Sequence, residues 1–319
     1  MTAPAVVAEF ATALVRTTVL TAARDGGFTW VRTPGAARSG PLRRPPHDLL
    51  AALETPATGD GSGVRCVLPR AYDGEEGLRY PLPGRRSLAE LLLSDDASNP
   101  PDDTRTDDVL YGLGRLLRAL HAAPLPAQGE AGAYVLPGAW RRLRSWTGAP
   151  AAGRPAQLHV RLRELLGEVR WSLVERWSSE PPEAGPRTLV HGAPGLGLLI
   201  PAEAGGLPHG LITGEDVGIA PWQWDVGWVL AELGELRHFS ARLHRPGTDW
   251  TRLEQVFLDG YGRPRDPLVR RFTALRSLLH LHDFSVFVTW DEAEVRRYAA
   301  LLADTIDAAD PADGKGGVR

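Results

Sequence analysis

The hydrophobic pattern of the chain changes once, near Pro83 and Gly84, from the two-residue period of strands to the period of helices. Before that point, short runs rich in β-branched and aromatic residues are separated by turns that contain Gly and Asp. The runs are residues 19–21, 28–31, 64–69 and 77–82, with turns at Asp25, Gly26 and Gly27 and at Asp73 and Gly74. One short apolar stretch, residues 49–53, favours a brief helix. This first part is therefore predicted to be a small antiparallel sheet with one short helix.

Beyond residue 84, apolar residues recur every three or four positions, as they do on one face of a helix. Ser87 and Glu90 form a capping-box pattern at the start of the first helix. Two longer helices are predicted to bury Leu110, Leu113, Leu117 and Leu120, and Leu158, Leu162, Leu165, Leu166, Val169, Leu173 and Trp177. Residues 188–225 interrupt this pattern with short apolar runs and many glycines, which indicates strands joined by loops. Helices return from Trp228 and continue to about residue 309.

The two patterns together predict an α+β protein of two lobes. The N-lobe comprises residues 1–84 and contains the antiparallel sheet and the short helix. The C-lobe comprises residues 85–309 and is mainly helical. Residues 310–319 are polar and are predicted to form a flexible tail.

Charge and composition exclude several partners and reactions. The chain has 36 Lys and Arg against 39 Asp and Glu, a net charge of -3, so it lacks the basic excess that nucleic acids or acidic membranes attract. Lysine occurs only at position 315, in the tail. No lysine of the two lobes is therefore available as a Schiff-base amine or as a phosphate-binding ammonium group.

The cellular setting is predicted from three absences in the sequence. Cys66 is the single cysteine, so no disulfide can form within the chain, and a reducing, cytoplasmic compartment is expected. The sequence contains no run of 18 apolar residues, the length that would be needed to span a bilayer. The first residues also lack the basic and then apolar pattern of a secretion signal.

Three stretches carry a resemblance to a known family. They are residues 80–92 (YPLPGRRSLAELL), residues 113–121 (LGRLLRALH), and the pair LVHG at 189–192 and WDVG at 224–227 with a short strand at 210–212 between them. In this order and spacing the chain resembles the aminoglycoside phosphotransferases, and FLDGYG at 257–262 matches a later helix of that family. These enzymes share a bilobal, protein-kinase-like fold with choline kinases and protein kinases, and the resemblance implies that fold here.

The resemblance also implies a set of reactive groups, because phosphoryl transfer depends on positioning and on charge neutralisation. An Asp after His-Gly serves as the base, and an Asn five residues later and an Asp beyond the next strand hold Mg²⁺. This chain has Ala193, Leu198 and Thr213 at the three positions. Alanine accepts no proton and leucine ligates no metal, so the chain is identified as a degenerate, pseudokinase-type member with no catalytic or metal-binding residue intact.

The framework around those positions is kept. His191, Gly192 and Asp225 match the loop and its buttress, and we interpret them as structural. Glu215 and Asp216, just beyond Thr213, are the candidates for rescuing a Mg²⁺ site, although adjacent strand residues point to opposite faces, so that at most one of them faces the cleft.

A nucleotide site is also implied by the resemblance. Arg32 occupies the phosphate-binding position of the third strand, and with Tyr80 and Leu82 it would line a cleft for ATP or GTP. The lost ligands argue against Mg²⁺ as a cofactor.

Trp222, Trp224 and Trp228 have two alternative interpretations, either as part of the core or as an aromatic surface that docks a partner chain.

Three functions stay open at this point. The leading hypothesis is a binding or scaffold subunit, for example one that holds a precursor peptide for a partner enzyme in a bacterial natural-product pathway. The second is an atypical but active ATP-dependent phosphotransferase on a hydroxyl of a small molecule or of a peptide Ser or Thr. The third is a protein that binds a small molecule without turning it over.

Overall fold

A computed structural model describes residues 4–22, 27–45, 47–59, 63–71, 77–94, 103–125, 136–179, 186–242 and 248–310. The predicted turn residues Asp25, Gly26, Asp73 and Gly74 lie outside these ranges, and so does nearly all of the predicted tail. None of the described helices is long and apolar enough to cross a membrane.

The described strands follow one another in the order β1 (Val6–Ala11), β2 (Val15–Thr21), β3 (Phe28–Pro34), β4 (Val64–Val67), β5 (Arg70–Ala71), β6 (Leu78–Leu82), β7 (Arg187–Val190), β8 (Leu199–Ile200), β9 (His209–Ile212) and β10 (Gly218–Pro221). The described helices are α1 (His47–Gly59), α2 (Leu88–Leu93), α3 (Asp103–Ala122), α4 (Gly138–Gly148), α5 (Arg154–Ser179), α6 (Gln223–Arg242), α7 (Trp250–Tyr261), α8 (Pro267–Phe287) and α9 (Glu292–Ala309). The chain is thus a mixed α+β protein, rich in strands before residue 84 and mainly helical after it, as predicted.

An antiparallel sheet forms the first part of the chain, in the strand order β1-β2-β3-β6-β5. The predicted hairpin is confirmed, since β2 pairs with β3 from Val15 opposite Pro34 to Thr21 opposite Phe28. Val19, Trp30 and Tyr80 lie side by side in three neighbouring strands, because Val19 pairs with Trp30 and Trp30 with Tyr80. This row faces the interior, and all three side chains are buried.

The strand predicted at residues 64–69 is present as β4, but it joins a different sheet. It pairs in parallel with β9 of the C-lobe, with Val64 opposite His209 and Val67 opposite Ile212. Val64 and Cys66 lie in the core cluster of α3, whereas Val67 lies in the cluster beneath the antiparallel sheet. Both faces of β4 thus contact apolar clusters, as is usual for a parallel strand, while Arg65 is exposed.

The predicted helices are present, with one error of phase. Leu110, Leu113, Leu117 and Leu120 of α3 are all fully buried, and the Oγ of Ser87 accepts the N–H of Glu90 at 3.2 Å, which confirms the cap of α2. In α5, however, Gly167 has a φ of 77° and breaks the helix. The break rotates the second part of α5, so that Trp171 and Val174 face the core and Val169, predicted to be buried, is 79% exposed.

The division of the chain at residue 84 stays a prediction. The short helix α1 and the strand β4 pack against α3: Leu49 and Leu53 of α1 share one apolar cluster with Leu110 and Leu113. This packing ties part of the predicted N-lobe to the largest core of the C-lobe.

Helices α3 and α7 cross at Gly114, where a side chain has no room. A Cβ at this position would lie 2.4 Å from the carbonyl oxygen of Phe257, whereas a Cβ at the helical Gly234 would meet nothing within 4 Å. We expect Gly114→Ala to lower the free energy of unfolding by roughly 2 kcal/mol or more, since backbone must move to admit a methyl group. Gly234→Ala should raise it by up to about 1 kcal/mol, because alanine is the better helix former.

Urea unfolding of both variants and the wild type checks this prediction. Equal effects of the two substitutions would contradict the close approach of the two helices at Gly114.

Candidate functional site

A buried carboxylate organises the loop that follows β7. Asp225, in the first turn of α6, is fully buried. Its Oδ2 accepts the backbone N–H of His191 at 2.7 Å and its Oδ1 accepts that of Gly192 at 2.9 Å. The Nε2 of His121, at the end of α3, lies 3.0 Å from Oδ2. Three donors from two segments therefore satisfy one buried charge, as such a group requires.

The support extends from this carboxylate to other helices. The Nδ1 of His121 lies 2.9 Å from the hydroxyl of Tyr261 on α7. Trp224, next to Asp225, donates its Nε1–H to the carbonyl of Gly192 at 2.7 Å and stacks on Trp140 at a centroid distance of 4.9 Å. Asp225 and Trp224 of α6 thus hold the loop at two amides and a carbonyl. His121 of α3, itself bonded to Tyr261 of α7, in turn holds Asp225.

The tryptophans near this loop are core residues. Trp222, Trp224 and Trp228 are 7%, 1% and 8% exposed. The alternative of an aromatic docking surface is therefore wrong for these three residues, and their packing as core residues is confirmed.

His191 is held as a neutral imidazole. Its Nε2 lies 3.1 Å from the carbonyl oxygen of Ile212, which can only accept, so Nε2 carries the proton. The Nδ1 is then free to accept the N–H of Ala193 at 3.4 Å. Burial lowers the pKa of His191, and the charge of Asp225 only partly offsets this effect. The side chain fastens the loop to β9, in agreement with its structural interpretation.

Gly192 must be a glycine. Its φ is +88°, and a Cβ there would lie 1.8 Å from the carbonyl oxygen of Asp216. The loop after β7 and the turn after β9 consequently touch close to positions 193 and 213, where the resemblance implies a base and a metal ligand.

The side chains at positions 193, 198 and 213 are buried or partly buried. Ala193 is 5% exposed. Leu198 packs against both the large core cluster and the cluster beneath the antiparallel sheet. Thr213 is fully buried, and its Oγ1 donates to the carbonyl of Leu211 at 3.1 Å. Each side chain contributes to packing at a point where the resemblance would require a reactive polar group.

Thr213 also joins the two lobes. Its backbone N–H donates to the carbonyl of Val67 at 3.1 Å, which continues the β4–β9 pairing. The thiol of Cys66 hydrogen bonds to the Thr213 side chain, and burial raises the pKa of this thiol to about 11. Cys66 is therefore an inert core residue.

The two candidate rescue carboxylates are already paired with arginines. Glu215 binds Arg38 through two hydrogen bonds of 2.8 and 2.7 Å and accepts the backbone N–H of Arg43 at 3.2 Å. Asp216 accepts a hydrogen bond from Nη1 of Arg142 at 2.8 Å. The two side chains point to different partners, Glu215 to the segment after β3 and Asp216 to α4.

These contacts do not fit a magnesium ion. Mg²⁺ requires oxygen ligands in near-octahedral arrangement, and the available carboxylates are neutralised by guanidinium groups. Among the residues that the structure describes, no group of three His, Cys, Asp or Glu side chains is placed to hold a metal ion.

The residues predicted to line a nucleotide cleft are closely packed. Tyr80 and Leu82 are buried. Burial raises the pKa of the Tyr80 hydroxyl, and the charge of Arg32 beside it acts in the opposite direction. Trp30, which the sequence analysis did not single out, lies beside Tyr80 and donates its Nε1–H to the carbonyl of Gly84 at 3.0 Å. Trp30 could have been found from the sequence, because side chains two residues apart in a strand lie on the same face and Arg32 follows two positions later.

A cavity of about 320 Å³ lies beside Ala193. Its lining includes Ala193, Leu198, Trp228 and Leu279 and the charged or polar side chains of Arg142, Asp216, Glu232, Arg276, His280 and Asp283. The volume falls in the range of small-molecule sites. Glu232, Arg276 and His280 were not predicted as cavity residues. The signal in the sequence that could have indicated them is the presence of charged residues within largely apolar helices.

Buried charges form one wall of this cavity. Arg276 is 7% exposed; its Nη1 lies 2.5 Å from Glu235, and its Nη2 lies 3.7 Å from Glu232. Its guanidinium carbon lies 4.9 Å from the centre of the Trp228 ring. Burial raises the pKa of both glutamates, and the Arg276 charge acts against that rise. Glu232 also accepts the N–H of Gly197 at 3.1 Å, so the charges brace the loop after β7.

Comparison with known proteins identifies the fold. No protein-family model matches the chain, and no curated protein sequence matches it. Among solved structures, Plasmodium vivax ethanolamine kinase is similar with a TM-score of 0.54 and 11% identity, over 96% of this chain and 82% of that chain. Amicoumacin kinase hAmiN gives 0.53 and 12%, over 93% and 87%. A thermostable mutant of aminoglycoside phosphotransferase APH(4)-Ia gives 0.52 and 14%, over 99% and 96%.

At these identities the likeness concerns the fold, and it confirms the predicted bilobal, protein-kinase-like α+β architecture. The resemblance carried by the sequence motifs is thereby confirmed at the level of the fold.

Asp225→Asn tests the buried carboxylate. An amide side chain accepts at one oxygen only, so its NH₂ group would face a backbone N–H or His121, and a buried donor would lose its partner. We expect the free energy of unfolding to fall by about 2 kcal/mol or more. The exposed Asp259→Asn is the control, with a change within about 0.5 kcal/mol. Similar small effects of both substitutions in urea unfolding would contradict the role of Asp225.

His280, which lines the cavity, should make the stability of the folded protein depend on pH. Burial and the neighbouring Arg276 lower its pKa from 6.5 to about 3. As pH falls below 6.5, the unfolded chain takes up this proton first, so the stability that is present above pH 6.5 is lost progressively toward pH 3. Between pH 7 and 5 we expect wild type to lose about 1 to 2 kcal/mol more than His280→Gln.

The measurement is urea unfolding of both proteins at the two pH values. His47→Gln, at an exposed position, should lose stability in parallel with the wild type. Parallel behaviour of His280→Gln would contradict the lowered pKa.

Proposed function

We propose that this chain is a pseudokinase-type protein that transfers no phosphate and acts as a binding subunit. The observation that carries the proposal is the chemistry of positions 193, 198 and 213: Ala193 and Leu198 offer only apolar groups to the cavity, and Thr213 is fully buried. A general base must reach the proton that it removes, and a metal ligand must reach the ion. Ala193, Leu198 and Thr213 offer neither group, while the loop that would present them is rigidly supported by Asp225.

The cavity beside Ala193 is the proposed binding site. It lies next to the position of the lost base, where an acceptor would meet a phosphoryl group in an active relative. Its wall carries both guanidinium and carboxylate groups, among them Arg142, Asp216 and Asp283. A peptide segment suits such a site because its amides and charged side chains can pair with both kinds of group. We therefore favour a precursor peptide as ligand, held for a partner enzyme of a bacterial natural-product pathway in the cytoplasm.

A second candidate function is favoured by the cavity volume. A space of about 320 Å³ suits a small organic molecule as well as one or two peptide side chains. Ligand stabilisation without turnover is expected for both candidates, and the class of compound that binds distinguishes them.

The absence of phosphotransfer is the first test. Incubation of the protein with ATP or GTP, Mg²⁺ and candidate peptides or aminoglycosides should give no product 80 Da heavier, a shift that corresponds to one added phosphoryl group. A phosphorylated product that disappears in Glu215→Ala or Asp216→Ala would overturn the proposal and establish the atypical phosphotransferase instead.

The binding site is tested by thermal unfolding with a panel of peptides, amino acids and amines. A ligand present at about 100 times its Kd stabilises the folded protein by roughly 2.7 kcal/mol. Asp283→Arg reverses a charge in the cavity and should abolish the shift in Tm. Asp304→Arg makes the same charge change at an exposed position of α9 and should preserve it. Ligands that stabilise both variants equally would show that the cavity is not the site.

A further inference from the structure

The side chain of Trp30 lies where the antiparallel sheet meets the strands β8 and β9. This residue lies in the middle of β3, between Val19 and Tyr80 in the row of inward-facing residues. It is 2% exposed. Tryptophan has the largest side chain of all amino acids. Trp30 also lies two positions before Arg32, on the same face of the sheet.

Apolar side chains from both lobes enclose this indole. Val19 and Leu82 belong to the antiparallel sheet, and Ile200 and Ile212 belong to β8 and β9, and all four share one buried cluster with Trp30. The ring of Phe10 meets the indole edge to face at a centroid distance of 5.5 Å. Trp30 is consequently a shared core residue of the two lobes.

The segment that joins the lobes directs its hydrogen-bonding groups to the chain itself. The carbonyl of Gly84 accepts the indole N–H at 3.0 Å, and the carbonyl of Pro83 accepts the backbone N–H of Glu203 at 3.0 Å. Pro81 and Pro83 have no N–H to offer. A purine entering at this point would therefore find carbonyls that are already paired and two positions without a donor.

We propose that the indole of Trp30 stands in for the base of a nucleotide. Like a purine, it is a flat bicyclic ring that packs between aliphatic side chains and donates one N–H to a backbone carbonyl of the joining segment. The cleft is then self-occupied, and the lobes are held together without ATP or GTP. This inference concerns the cleft between the lobes and does not depend on what the cavity beside Ala193 binds.

One consequence distinguishes this role from ordinary core packing. If the indole occupies a base-shaped slot, its removal leaves a slot that accepts a purine, with Arg32 on the same face to meet the phosphates. A cavity made by removing any other buried tryptophan has no such relation to a nucleotide. Trp140 provides the matched case, because it is fully buried and donates its Nε1–H to the carbonyl of Ser178 at 2.8 Å.

The experiment compares Trp30→Gly and Trp140→Gly with the wild type by thermal unfolding and calorimetric titration, using indole, adenosine and ATP as probes. Both variants should melt at lower temperature and recover in part with indole, which refills either cavity. Adenosine and ATP should raise the Tm of Trp30→Gly alone, by roughly 3 °C or more at saturating ligand. ATP should bind the Trp30→Gly, Arg32→Ala double variant at least about tenfold more weakly, while adenosine binds both equally.

Two results would overturn the inference. One is a folded Trp30→Gly that neither adenosine nor ATP stabilises more than it stabilises Trp140→Gly. The other is ATP binding by the wild type that Arg32→Ala weakens, and this titration decides the question even if Trp30→Gly does not fold. ATP binding without phosphate transfer would overturn only the inference on Trp30, whereas transfer to an acceptor would overturn the proposed function.

Discussion

The charge of Asp225 is the constraint on which the site depends. A carboxylate without access to water is tolerated only when donors surround it, and here they come from the loop after β7 and from α3. Any change that moved the loop would leave this charge unpaired. The loop therefore keeps its shape for reasons of stability, and this holds whether or not residue 193 does any chemistry. A supported loop that carries Ala193 is the expected outcome when the reactive groups are lost and the fold is kept.

Two of the positions where the resemblance implies metal ligands add contact between the lobes. They are Leu198, which packs against two apolar clusters, and the fully buried Thr213, whose backbone N–H donates to the carbonyl of Val67. Trp30 likewise adds contact between the lobes, next to the segment that joins them. A cleft that must admit and release a ligand needs polar walls and some freedom between its lobes, whereas these side chains favour one closed arrangement.

Local patterns in the sequence predicted the features that depend on neighbouring residues. The cap at Ser87, the buried face of α3 and the hairpin of β2 and β3 follow from spacing alone, and motif order was enough to predict the fold. Three features could not be predicted from spacing, two because they join distant residues and one because a glycine adopts a positive φ within a helix. The parallel partner of β4 is more than a hundred residues away, and the break at Gly167 turned Val169 outward. The pairing of Arg276 with Glu232 and Glu235 joins two helices whose periodicity gives no sign of it.

The β4–β9 pair also has a consequence for the order of folding. Residue 64 meets residue 209, so this strand of the first part of the chain stays without its partner until most of the C-lobe has been synthesised. Contacts between residues so far apart in sequence carry a high loop-closure entropy and form late. A nascent chain would pass through a stage in which β4 exposes both apolar faces, the condition in which partly folded chains associate with one another. The β4–β9 pairing joins the lobes in the folded protein. Before this pairing forms, the folding chain is most exposed to aggregation.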